Sequence, residues 1–96
     1  MPSLKISIPA AVARRFPAQS QDRQRQLSNQ ISIVLKATRM QRGFDQEEVA
    51  QRLGWTRSMV ANLENGRKEV TLVDLAFLAE ALDIDLTKLI HRILQW

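Results

Sequence analysis

Apolar and polar positions alternate with two different periods along this chain. At residues 4–8, Leu-Lys-Ile-Ser-Ile, the period is two, between Pro2 and Pro9. That is the pattern of a short strand. One strand cannot stand alone, so this one pairs with another copy or lies as an extended arm. From Pro9 to Phe16 the pattern allows a helical turn or two, with Pro9 at the first position. Pro17 is expected to stop it. Beyond it the period becomes helical. Leu27, Ile31, Val34 and Thr38 make one stripe, which predicts a helix from Leu27 at the latest to about Gln41, ended by Gly43. The polar stretch 18–30 before it carries two readings, a flexible linker or the start of a long helix capped by Ser20.

Four more helical segments follow from caps and stripes. Asp45-Gln46-Glu47-Glu48 has the form of a capping box, with acids suited to the helix dipole. Val49, Ala50 and Leu53 form its inner face, and Gly54 turns the chain. Thr56 caps a third helix whose Val60, Leu63 and Glu64 stem point inward. At about 100° per residue, Ser58 and Asn62 lie opposite Val60, with Asn65 flanking them and Arg57 on the first turn. Thr71 and Asp74 cap a fourth helix, whose core stripe is Leu72, Leu75, Leu78, Ala79 and Leu82. Val73 and Phe77 form a second apolar ridge beside it. Asp85 caps a fifth helix bearing Leu86, Leu89, Ile90, Ile93 and Leu94, and Trp96 ends the chain.

Charge changes the picture. Residues 1–29 carry a net +4, residues 30–68 carry +3, and residues 69–96 carry −3. A polyanion would meet the first two thirds and be repelled by the last third. Ninety-six residues allow one domain with an arm, here divided into an N-terminal basic arm over 1–29 and a domain over 30–96. There is no cysteine, so neither a disulfide nor a thiolate metal site can staple the fold. His91 is the one histidine, which argues against metal; no phosphate loop or catalytic triad is apparent, and no cofactor or enzymatic activity is expected. No apolar run approaches the roughly 20 residues of a membrane span, and the N-terminus lacks a signal-peptide core. A cytoplasmic, nucleoid-associated protein is the expectation.

Two short helices joined at Gly54 are the layout of a helix-turn-helix. The small Ala50 lets them approach closely. The stretch resembles the Xre, or Cro/CI-type, helix-turn-helix family. The matching residues are Arg39, Gly43, Gln46-Glu47-Glu48-Val49-Ala50, Leu53-Gly54, Thr56, Val60, Leu63-Glu64-Asn65-Gly66, Leu75, Leu78-Ala79, Leu82 and Leu89. The resemblance covers about residues 30–94 and implies an all-α, five-helix, lambda-repressor-like bundle. It implies that the third helix enters the major groove while the second crosses the backbone. By position, Thr56, Arg57, Ser58 and Asn62 would face the bases, and Gln46, Asn65, Arg67 and Lys68 would hold the DNA backbone. Arg39 and Glu64 would form a structural ion pair. Two departures stand out: Trp55 replaces a smaller aliphatic residue, and Asp83 stands where the family commonly has glycine.

The residue types suit those roles. Arginine can fork onto guanine O6 and N7, asparagine can bridge adenine N6 and N7, and serine can serve either. Met59 can touch a thymine methyl or pack inward. The expected function is a sequence-specific transcriptional regulator, a repressor on a palindromic operator, bound as a homodimer. Ile90, Ile93, Leu94 and Trp96 are the expected dimer interface. The arm, through Leu4, Ile6 and Ile8, is expected to pack on the Val73–Phe77 ridge or pair with its counterpart; alternatively Arg14, Arg15, Arg23 and Arg25 track DNA. The competing function is an antitoxin that represses its own operon and binds a toxin through residues 1–29.

Overall fold

In the computed structural model the backbone is described for residues 10–95 and the side chains for residues 21–95. The residue 4–8 strand and Trp96 lie outside these limits. Five helices follow in order: α1 Ala10–Gln41, α2 Gln46–Leu53, α3 Arg57–Glu64, α4 Leu72–Ala81 and α5 Leu86–Leu94. No strand occurs among the described residues.

Short side chains at the joints define the boundaries. The Asp45 carboxylate accepts from the Glu48 amide at 2.8 Å, and the Glu48 carboxylate accepts from the Asp45 amide at 3.2 Å. Thr71 and Asp74 repeat this reciprocal pairing at α4, both bonds at 3.0 Å. Each box satisfies two of the amides that a helix start otherwise leaves without partners. Asp85 caps α5 with a 2.8 Å bond from the Thr87 amide.

Pro17 does not stop the first helix. α1 runs through it for 32 residues, so residues 18–30 are helical and not a linker, but the helix begins at Ala10 and Ser20 lies inside it instead of capping it. Proline lacks an N–H and costs a helix interior one hydrogen bond. The alanine, glutamine and arginine around it are good helix formers. The expected division at residues 29/30 falls inside this helix.

The core lies where α1 packs on α3 and α5, α2 on α3 and α4, and α4 on α5. Val34, Leu35, Val49, Ala50, Val60, Leu63, Leu78, Leu82 and Leu89 fill it. Trp55, half-buried, packs against its edge. Two expectations fail. Leu72 is 65% exposed and outside the core stripe, because the first residue of α4 lies above the packed layer; Ala81 is buried instead. Ile93, expected at a dimer face, is 5% exposed and belongs to its own chain's core. There α1 covers α5, with the Gln30 amide donating to the Ile93 carbonyl at 3.2 Å.

The α4–α5 corner turns on Asp83, whose φ of +54° is left-handed. Two arginines hold this corner. Arg42 donates to the carbonyls of Leu82 and Asp83, both at 2.9 Å. Arg52 donates to the Ala81 carbonyl at 2.9 Å and to the Asp83 carboxylate at 3.3 Å. Cations at the carbonyl end of α4 suit its dipole.

Candidate nucleic-acid interface

The presented element is α3, and its back is fixed at several points. Gly54, at φ +68°, ends α2 and donates to the Ala50 and Gln51 carbonyls. The left-handed conformation favours glycine there. The Trp55 amide then bonds the Ala50 carbonyl at 2.9 Å, so the turn folds back on α2. Thr56 starts α3 by accepting from the Met59 amide at 3.2 Å. That bond uses a lone pair of the Thr56 hydroxyl and leaves its proton free to donate. Val60 and Leu63 anchor the helix in the core, each 1% exposed.

The far end of α3 is held by two further groups. Ser32 of α1, itself buried, donates its hydroxyl to the Leu63 carbonyl at 2.9 Å. The Asn62 carbonyl accepts the amides of Arg67 and Lys68 at 2.9 and 3.3 Å, which curls the following loop back over the helix end. Gly66, at φ +76°, makes this turn beside Asn29 and Ser32.

Glu64 gathers three donors from two elements. Arg39 Nε and Nη2 approach its carboxylate at 2.6 and 3.0 Å, and Gln46 Nε2 approaches at 3.0 Å. Arg39 Nη1 also donates to the Phe44 carbonyl at 2.7 Å. The pair is nearly dry, with side chains 11% and 6% exposed. It joins the end of α1 and the start of α2 to the end of α3. A cavity of about 10 Å³ lies beneath it, among Leu35, Val49, Val60 and Leu82. That is room for no more than one water.

The face left outward carries Thr56, Arg57 and Ser58, all exposed, and Asn62, half-buried. Met59 is half-buried on the shoulder. Asn65, Arg67 and Lys68 are exposed in the turn beyond. Gln46 is half-buried with one amide proton committed to Glu64. A backbone contact from this residue therefore depends on its second amide proton and on the free N–H groups that open α2. Among the described residues only Arg39–Glu64 and Arg52–Asp83 are ion-paired, so Arg57, Arg67 and Lys68 present unneutralised charge. Among those residues no three His, Cys, Asp or Glu side chains gather as a metal site, and no helix is long and apolar enough to cross a membrane.

A helix tied down at its back and both ends, with polar side chains outward beyond a glycine turn, is the geometry of a helix-turn-helix reader. Residues 35–89 match the helix-turn-helix family model. The chain belongs to the Xre, Cro/CI-type helix-turn-helix family. This is a family of DNA-binding regulators. The solved structure of the restriction-modification controller protein C.AhdI from Aeromonas hydrophila is 36% identical to it. That match covers 67% of this chain and 96% of that one, with a TM-score of 0.60. The clp gene regulator ClgR from C. glutamicum is 25% identical over 72% of this chain and 90% of that one, at a TM-score of 0.67. Wild-type C.Esp1396I, another restriction-modification controller protein, shares the fold at 20% identity and a TM-score of 0.68, over 72% and 91% of the two chains. No curated protein matches the sequence.

Two relationships within the site escaped the sequence pattern. Ser32 reads as a polar position on a helix, and nothing local marks it as the partner of a carbonyl 31 residues away. Gln46 reads as an outward donor, but its link to Glu64 depends on how α2 crosses α3.

Proposed function

We propose that this protein is a sequence-specific transcriptional regulator, a repressor, that binds a palindromic operator as a homodimer. The observation that carries the reading is the outward face of α3, where exposed Arg57 and Ser58 and half-buried Asn62 lie on a helix whose inner face and far end are fixed by the scaffold. In this reading Arg57 forks onto a guanine, Asn62 bridges an adenine, and Thr56 and Ser58 contact the neighbouring bases. Gln46, Asn65, Arg67 and Lys68 hold the flanking phosphates, which set register without reading sequence. The likeness to C.AhdI supports a controller-type regulator.

One domain of this size reads only a few base pairs, and two copies supply the half-sites of a palindrome. The partner copy packs on α5 through Ile90 and Leu94, spaced four apart on one side of the helix. Leu94 is 69% exposed. Residues 1–29 remain the segment for a protein partner, and co-purification with the product of a neighbouring gene would add that role.

The deciding experiment is a gel shift on the DNA upstream of the protein's own gene, with Arg57→Ala and Asn62→Ala beside the wild type. Each substitution is expected to remove about 1–3 kcal/mol of discrimination at one base pair per half-site. If both variants bind the native site as the wild type does, the readout assignment is wrong.

A further inference from the structure

The family match begins at residue 35, yet α1 extends well before it on the same axis. The helical period places Arg25, Asn29, Ser32 and Lys36 along one edge of α1, within about 60° of one another. This edge has a defined neighbour. A side-chain carbon at Gly66 would lie 3.7 Å from Ser32 Oγ and 3.8 Å from Asn29 Oδ1, and the Ser32 hydroxyl is bonded to the Leu63 carbonyl. The middle of the edge therefore abuts the turn that carries Arg67 and Lys68. Arg25 extends the row outward past that turn. Lys36 extends it the other way toward Arg39, which holds Glu64 beside the start of α2.

Arg25, Lys36, Arg67 and Lys68 are all exposed, and none is in an ion pair among the described residues. The acids at the margins are Asp22, one turn beyond Arg25, and Glu69, after Lys68. The row from Arg25 to Lys36 spans about 16 Å of helix at 1.5 Å per residue. Its ends flank the loop after α3.

From this juxtaposition we infer that the Arg25–Lys36 edge of α1 is a second phosphate-contacting strip. It is continuous with Arg67 and Lys68 and grips duplex DNA flanking the bases read by α3. The inference rests on the DNA-binding reading above. A phosphate contact adds affinity and salt dependence without sequence preference. The strip's signature is therefore different from that of Arg57.

The test compares the full-length wild type with Arg25→Gln/Lys36→Gln, with the charge-conserving Arg25→Lys/Lys36→Arg, and with Arg57→Ala. Affinity is measured from 50 to 200 mM salt on native-site duplex and on unrelated duplex. Removing two phosphate contacts makes the log–log salt slope shallower by about 1.8 per subunit. The expected result is that loss on both duplexes for the glutamine pair, recovery in the charge-conserving pair, and unchanged thermal melting. An unchanged slope in the glutamine pair overturns the strip, even where Arg57→Ala loses specificity and the readout stands. A wild type that binds both duplexes equally, with a slope that still falls in the glutamine pair, overturns the readout and keeps the strip. A wild type that binds neither duplex overturns both.

Discussion

The side-chain amide of Gln46 donates to the carboxylate of Glu64 at 3.0 Å, across the crossing of α2 and α3. The same carboxylate receives the Arg39 guanidinium, so Glu64 has donors from two helices. Losing different members should have unequal costs. Gln46→Ala leaves Arg39 and Glu64 paired and should cost about 1.5–3 kcal/mol, the worth of a hydrogen bond to a charged group. Glu64→Ala leaves the largely enclosed Arg39 charge without its carboxylate and should cost more, up to about 3–5 kcal/mol. Urea unfolding midpoints check the order, and equal losses in the two variants would contradict the arrangement.

Asp83 adopts φ +54° at the α4–α5 corner. A β-branched residue cannot take that conformation without strain, whereas glycine can. Asp83→Val should therefore be less stable than Asp83→Gly by about 1–2 kcal/mol. Both variants lose the exposed Arg52 contact equally, so it cancels in the comparison. Thermal melting of the two variants side by side reads the difference.

Asp85 gives the fold an acid-sensitive cap. The Thr87 amide donating to its carboxylate holds its pKa below the usual range, helped by the Thr87 hydroxyl and by Lys88, against a small opposing effect of burial. A folded pKa below the unfolded value, about 3.9 for aspartate, stabilises the fold fully above that value. The contribution fades as pH falls through the folded pKa. Asp85→Asn removes the titration and keeps a capping side chain. The melting-temperature gap between the wild type and this variant should stay constant from pH 7 to about 5 and shrink below about 4.

The exposed Leu94 offers a way to test the proposed assembly separately from folding. In the proposed α5-mediated dimer, Leu94→Glu should shift sedimentation from dimer to monomer, with its helical circular dichroism intact. Ile93→Glu should unfold the chain, since it would bury a charge in the core. A Leu94→Glu protein that still sediments as a dimer would place the interface elsewhere.

The sequence made the short helices legible because their signals are local. Asp45 with Glu48, Thr71 with Asp74, and Thr56 each act within three residues. The inward stripe of α3 was legible for the same reason. Other features were not legible in the local pattern. The long helix passes Pro17, where local steric cost gives way to the helix formers on either side. Leu72 falls on an apolar stripe but above the packed layer, and Ile93 is covered by α1, a neighbour remote in sequence. Arg42 and Arg52 carry no local signal of their role, which arises only when the fold brings the end of α4 to them.

The Ser32–Leu63 and Gln46–Glu64 bonds hold α3 from behind and from its far end. None of the listening side chains on its first turn takes part in them. On the proposed readout, sequence preference and folding are thus written in separate alphabets on the same eight residues. On that reading a lineage could exchange the exposed Arg57 and Ser58 and acquire a new DNA target in a few steps without disturbing the bonds that hold the helix. The same separation makes this helix a practical host for grafting another reader's outward residues.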